Sequence, residues 1–166
     1  VMSEDGHPAT PRSMVLMAGP VDVRESPTAV NALAQERPLS WFARNVIATV
    51  PGRYAGGGRR VYPGFLQLTA FMAMNMDRHQ AQHRKLYDHL AAGEQAPAAR
   101  IKEFYDEYFA VLDLTEEFYL ETIDRVFQKA DLARGEFYWR GRRVDPGQIR
   151  KTALLTVEGE RDDICA

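Results

Sequence analysis

Apolar positions along the chain fall into two kinds of pattern. Short unbroken runs stand near each end: Ser13-Met14-Val15-Leu16-Met17-Ala18, closed by Gly19-Pro20, and Thr152-Ala153-Leu154-Leu155-Thr156-Val157, closed by Glu158-Gly159. Runs of this length, stopped by turn formers, predict buried strands. Between them the spacing becomes helical. Ser26-Pro27-Thr28 predicts a helix start with Ser26 as N-cap, and amphipathic segments follow over 28–37 and 39–50, each stopped by a proline. Residues 65–90 predict the strongest helix, with Phe65, Leu68, Thr69, Met72 and Met76 on one stripe that reads as core. Helices are also predicted over 98–112, rich in Phe104, Tyr105, Tyr108 and Phe109, and over 118–130, with Thr115 as N-cap and Phe118, Tyr119, Ile123, Val126 and Phe127 inward. Aromatics bracketed by glycine and arginine over 134–144 predict a hairpin-like excursion. Asp145-Pro146 then caps a last short helix over 147–151.

The order is therefore strand, long helical block, strand. A crossover between parallel strands needs only about a dozen residues. The block over 25–151 is far longer, which predicts an insertion: residues 1–24 supply a strand and loops of an α/β core, 25–151 a mostly helical cap with a return helix, and 152–166 a core strand and its following loop. Caps of this kind exclude water and select substrate. A separate helical bundle flanked by β-like runs is the competing organisation. In open α/β sheets the carboxyl ends of strands face the functional crevice. The acids Glu160, Asp162 and Asp163 arrive just after the second strand, in a position to orient a catalytic histidine, although a solvated charged loop explains the same residues.

Composition narrows the partners. The chain is 166 residues long, 45% hydrophobic and 27% charged, with 21 Lys and Arg against 23 Asp and Glu. A net charge of −2 offers no bulk attraction to nucleic acid or an anionic membrane. The lone cysteine, Cys165, allows no intrachain disulfide and fits a reducing compartment. No apolar run approaches a membrane span, so the expectation is a soluble cytoplasmic protein. The sequence begins at Val1 and stops as a loop opens after a strand, so it reads as an excerpt of a longer chain.

Other chemical signals are weaker. His79 and His83 stand at i, i+4, a spacing that lets two imidazoles share a metal. No glutamate follows His79, no third ligand is apparent, and Gln80, Gln82, Arg84 and Lys85 around them compose a wet face, so no metal and no cofactor is assigned. Gly56-Gly57-Gly58 lacks the preceding strand and the Lys-Ser/Thr of a phosphate loop, and Arg59-Arg60 reads as a solvated pair. Trp139 among arginines suggests base stacking, which the net acidity of the chain opposes.

Four separated blocks carry a more specific signal. Met14–Arg24 (MVLMAGPVDVR), then Val61-Tyr62-Pro63-Gly64-Phe65-Leu66-Gln67, then Arg140-Gly141-Arg142-Arg143-Val144-Asp145-Pro146, and finally Leu155–Ile164 (LTVEGERDDI) resemble, in that order, the carboxy-terminal region of the intracellular polyhydroxyalkanoate (poly-3-hydroxybutyrate) depolymerases. The resemblance covers essentially the whole chain. It implies a fragment of an α/β-hydrolase fold with a large helical cap inserted between two strands, hydrolysing storage polyester through a Cys-His-Asp type triad. It places the triad acid at Asp162, in a Gly-x-x-Asp-x-Ile pattern, with Asp163 as the second choice. The family's nucleophile is a cysteine on an elbow preceding the first strand seen here. Triad order is nucleophile, acid, histidine. His7, His79, His83 and His89 all precede the acid, so neither partner is assigned within these residues and the piece by itself is expected to be inactive. Cys165 follows the acid and lacks the elbow. The implied partner is the polyester granule, and the implied location is the cytoplasm and the granule surface. Trp41, Tyr62, Phe65 and Trp139 read first as core and second as contacts for apolar polymer. Two alternatives share features with this reading: a polyhydroxyalkanoate synthase, disfavoured by the Gly-Arg-Arg-Val-Asp-Pro block, and a non-catalytic helical module that binds granules or other proteins.

Overall fold

The two apolar end runs pair with each other. In the computed structural model, which describes residues 1–25, 27 and 29–159, β1 (Ser13–Met17) lies parallel to β7 (Ala153–Val157), with Ser13 opposite Ala153 and Met17 opposite Val157. Between them in chain order come α1 (Ala29–Glu36), α2 (Leu39–Asn45), β2 (Ala48–Thr49), β3 (Arg60–Tyr62), α3 (Gly64–Met74), α4 (Met76–Ala91), α5 (Gln95–Tyr108), β4 (Leu114–Thr115), α6 (Glu116–Thr122), a π-helical segment (Ile123–Gln128), α7 (Asp131–Arg134), β5 (Tyr138–Trp139), β6 (Arg142–Arg143) and a 3₁₀ turn (Pro146–Gln148). Mixed helix and strand of this kind fits the α/β class. The chain divides into two compact units, one of Val1–Phe42 with the described residues from Leu120 onward, the other Ala43–Tyr119.

The first unit holds the β1–β7 pair. Thr152 anchors it, its Oγ1 donating to the Pro11 carbonyl at 2.7 Å. The strands are not buried as predicted: Val15, Met17, Leu154 and Leu155 are each more than half exposed. Parallel strands are normally covered on both faces, and two strands alone offer each other edges but no layer to cover their faces. The core of the unit lies where α1 meets the π-helical segment, around Ala34, Phe42, Ile123 and Ala130, with the buried Asn31 amide donating to the Val23 carbonyl at 3.1 Å. Gln128 donates to the carbonyls of Ala34 and Arg37, both at 2.9 Å, and Gln35 donates back to Phe127. The carbonyls at the end of α1, which no further turn would satisfy, thereby gain donors. The predicted hairpin forms, with β5 and β6 antiparallel and Arg140 (φ 49°) and Gly141 (φ 75°) both left-handed. That is the two-residue turn whose twist matches the strands. Asp145 caps the 3₁₀ turn through the Gly147 N–H at 2.9 Å.

In the second unit β3 is the centre of a small antiparallel sheet between β2 and β4. The helix predicted over 39–50 therefore stops at Asn45, because Ala48 and Thr49 pair with β3. The predicted helix over 65–90 is two helices. Asn75 (φ −133°, ψ 41°) breaks it, ending α3 and starting α4. Asparagine competes for backbone hydrogen bonds locally and tolerates such junctions. The proposed stripe is accordingly not a single buried face: Phe65 is 67% exposed and Met76 45%. Arg60 is no free solvated charge, since its guanidinium grips the Glu116 carboxylate at 2.5 and 2.9 Å and Glu116 is held below the usual carboxylate range by that bond. Thr115 does cap α6, accepting from the Phe118 N–H at 3.3 Å. Ser26 lies outside the described residues.

Candidate functional site

Two places in the chain gather chemistry-bearing groups. The first is the carboxyl end of the β1–β7 pair. Because the strands are parallel and in register, both chains leave the sheet at the same end, where the Ala18 N–H donates to the Val157 carbonyl at 2.9 Å. Gly19-Pro20 carries one chain away and Glu158-Gly159 the other. Asp22, on the first of these loops, is committed to Arg24 (2.6 and 2.8 Å), whose hydrogen bonds bring its carboxyl down to about 2. So low a value makes Asp22 a poor proton acceptor. Asp162 and Asp163, and Cys165 with them, lie outside the described residues.

The aromatics singled out from sequence divide by burial. Tyr62 is half-buried and stacks on Tyr119, ring centres 4.0 Å apart. Burial raises both phenols above their ordinary values, and for Tyr119 the neighbouring Tyr62 adds to the shift. The Gly64 N–H donates to Asp113 Oδ1 at 2.7 Å, and a Cβ on Gly64 would stand 3.1 Å from a Val111 methyl. Gln67 donates to the Leu112 carbonyl at 2.8 Å. The Tyr62-Pro63-Gly64 block is thus clamped against the segment that leads into β4, and Phe65 projects from it into solvent. Trp139 is 45% exposed, with the Arg140 guanidinium 4.7 Å from its ring centre. Trp41 is half-buried, edge-on to the buried Phe42 at 5.2 Å.

The second place is a cleft of about 420 Å³ between α4 and α5. His79 and Tyr105 face each other across the two helices, both buried, with His79 Nδ1 hydrogen-bonded to the Tyr105 hydroxyl at 2.9 Å. Burial raises the Tyr105 and Tyr108 phenols. His83, expected beside His79 on a wet face, turns its Nδ1 to the His79 carbonyl at 2.8 Å and its ring to Tyr105. Each imidazole thus has a ring nitrogen engaged in a structural bond, and among the described residues no three His, Cys, Asp or Glu side chains assemble into a metal-binding group. Phe104 and Tyr108 give the cleft its aromatic surface, Ile101 adds an aliphatic patch, and Arg78, Gln82 and Arg100 supply polar lining. Sequence reasoning missed this cleft. Its signal was present in the spacing Arg100, Ile101, Phe104, Tyr105, Tyr108, which puts one face of α5 toward the cleft.

The class defined by these features is a mixed α/β protein whose parallel strand pair is joined by a long, mostly helical excursion. The family model described as PHB de-polymerase C-terminus matches residues 18–166, and the chain belongs to that family. Membership gives it a role in PHB depolymerisation, with a polyester as the substrate class. No curated protein and no solved structure matches the chain. Among the described residues no helix is long and apolar enough to cross a membrane.

Proposed function

We propose that the chain is the cap-bearing, acid-bearing part of an α/β-hydrolase that cleaves the ester bonds of poly-3-hydroxybutyrate in the cytoplasm, at the granule surface. Residues 25–151 act as the cap, 1–24 and 152–166 belong to the hydrolase core, and Asp162 is the triad acid. The observation that supports this most strongly is the in-register parallel pairing of β1 with β7. It delivers the residues after Val157 to the carboxyl end of a sheet, where α/β enzymes bind their ligands. The exposed apolar faces of both strands fit a sheet that continues and is covered in the working enzyme.

In this role the Asp162 carboxylate accepts a hydrogen bond from an imidazole N–H, fixes its tautomer and stabilises the imidazolium that forms as a nucleophile attacks the ester carbonyl. Removing such an acid lowers kcat by up to about 10⁴-fold. The test compares Asp162→Asn and Asp163→Asn in the full-length enzyme on amorphous polyester granules, with circular dichroism to confirm folding. The reading requires that Asp162→Asn lose at least about a hundredfold while Asp163→Asn stays within a few-fold. The opposite ranking moves the acid to Asp163, and full activity in both removes the assignment.

A further inference from the structure

The cleft between α4 and α5 carries two arginine charges that no acid among the described residues pairs with. Arg78 on α4 and Arg100 on α5 line the cleft, both are exposed, and neither side chain makes an ion pair or hydrogen bond with any described residue. Among the described residues no carboxylate lines the cleft. Elsewhere in this unit cations that meet acids pair with them, as Arg60 does with Glu116 and Lys102 with Asp106. Two guanidiniums lining one cleft raise its positive potential, and their planar donors match a carboxylate.

His79 adds a third polar group. Its Nδ1 is held by Tyr105, while its Nε2 has no partner among the described residues. Among the described residues no buried side-chain nitrogen or oxygen lacks a partner, so Nε2 keeps solvent access, and His79 lines the cleft. When the Tyr105 hydroxyl donates to Nδ1, the imidazole proton sits on Nε2 and makes it a donor for a ligand in the cleft. Behind these groups the wall of Phe104, Tyr108 and Ile101 offers apolar contact that a bare inorganic anion does not use.

We infer that this cleft binds an organic carboxylate with an aliphatic body: the free acid end of a short hydroxyalkanoate chain. Naming that ligand rests on the depolymerase reading. Each hydrolytic cut adds water across an ester and yields one alcohol and one carboxylic acid, which ionises and releases its proton. The enzyme therefore generates this group at every turnover, and a cap that holds it keeps a cut chain near the enzyme. The volume, about 420 Å³, falls within the range of small-molecule sites, roughly 300–1,000 Å³.

Calorimetric titration of the full-length protein tests this with the linear trimer of 3-hydroxybutyrate as the free acid, its methyl ester, and inorganic phosphate. The acid is expected to bind at least about tenfold tighter than the ester, phosphate to compete weakly, and Arg78→Gln with Arg100→Gln to erase the preference for acid over ester. Both substitutions replace exposed, unpaired side chains, and circular dichroism checks that the double variant is folded. Equal binding of acid and ester overturns the inference, as does a preference that survives in the double variant or phosphate competing as strongly as the acid. Granule hydrolysis by the unmodified protein is measured alongside. Hydrolysis without acid preference sinks the cleft alone, and acid preference without hydrolysis sinks the depolymerase reading and leaves a carboxylate site.

Discussion

The bond between His79 and Tyr105 ties α4 to α5, and Tyr105→Phe isolates what it contributes. Tyr105 is 5% exposed and His79 8%, and the substitution removes one oxygen while keeping the ring that packs on Phe104 and Tyr108. The hydrogen bond lost is worth about 1 kcal/mol net, and leaving a buried Nδ1 without a partner raises the cost to about 1–3 kcal/mol. With a urea m-value of about 2 kcal/mol/M, that is a fall in midpoint of about 0.5–1.5 M. The assay is urea unfolding followed by far-ultraviolet circular dichroism, in the His79→Leu background as well as the unmodified one. With leucine at position 79 there is no nitrogen to strand, and the cost of Tyr105→Phe should drop below about 0.5 kcal/mol. Equal costs in the two backgrounds refute the reasoning.

Three further outcomes follow from the geometry. The Glu116 carboxyl is depressed by its hydrogen bond to Arg60, so its contribution is present above the unfolded glutamate pKa and is lost as pH falls through the lower folded value; Glu116→Gln should flatten the acid limb of a stability–pH curve. Tyr62 and Tyr119 are shifted the other way, so the folded state holds their protons and loses stability as pH rises beyond the ordinary tyrosine value of about 10. Absorbance titration should show these two phenols ionising late together with the raised Tyr105 and Tyr108, and Tyr119→Phe should remove at least one phenol from that late group. Gly141 has a left-handed φ of 75° in the hairpin turn, so Gly141→Val should cost about 1–2 kcal/mol in thermal unfolding, whereas Gly141→Asn should cost clearly less.

Much of the fold was legible because its signals are local. The two end strands, the Thr115 and Asp145 caps and the hairpin within 134–144 each follow from a few neighbouring residues. What escaped depends on partners distant in sequence. Ala48 and Thr49 become a strand only because Val61 and Arg60 lie beside them. The break at Asn75 interrupts an apolar run that read as continuous helix, and the burial of His79 is set by Tyr105 on another helix. Exposure of Val15 and Leu155 was missed for a different reason: an apolar run signals that a strand is built to be covered, without saying what covers it. The assignment of Asp162 came from resemblance, since an acid after a strand looks the same in a solvated loop.

Base consumption in a pH-stat, with amorphous poly-3-hydroxybutyrate granules and the full-length enzyme, tests the central claim most directly, because each ester cut at neutral pH releases one proton. The account predicts steady base uptake matched by soluble 3-hydroxyacid, and loss of that uptake in Asp162→Asn. Granules that bind the protein while no base is consumed would contradict it and make the chain part of a granule-binding module.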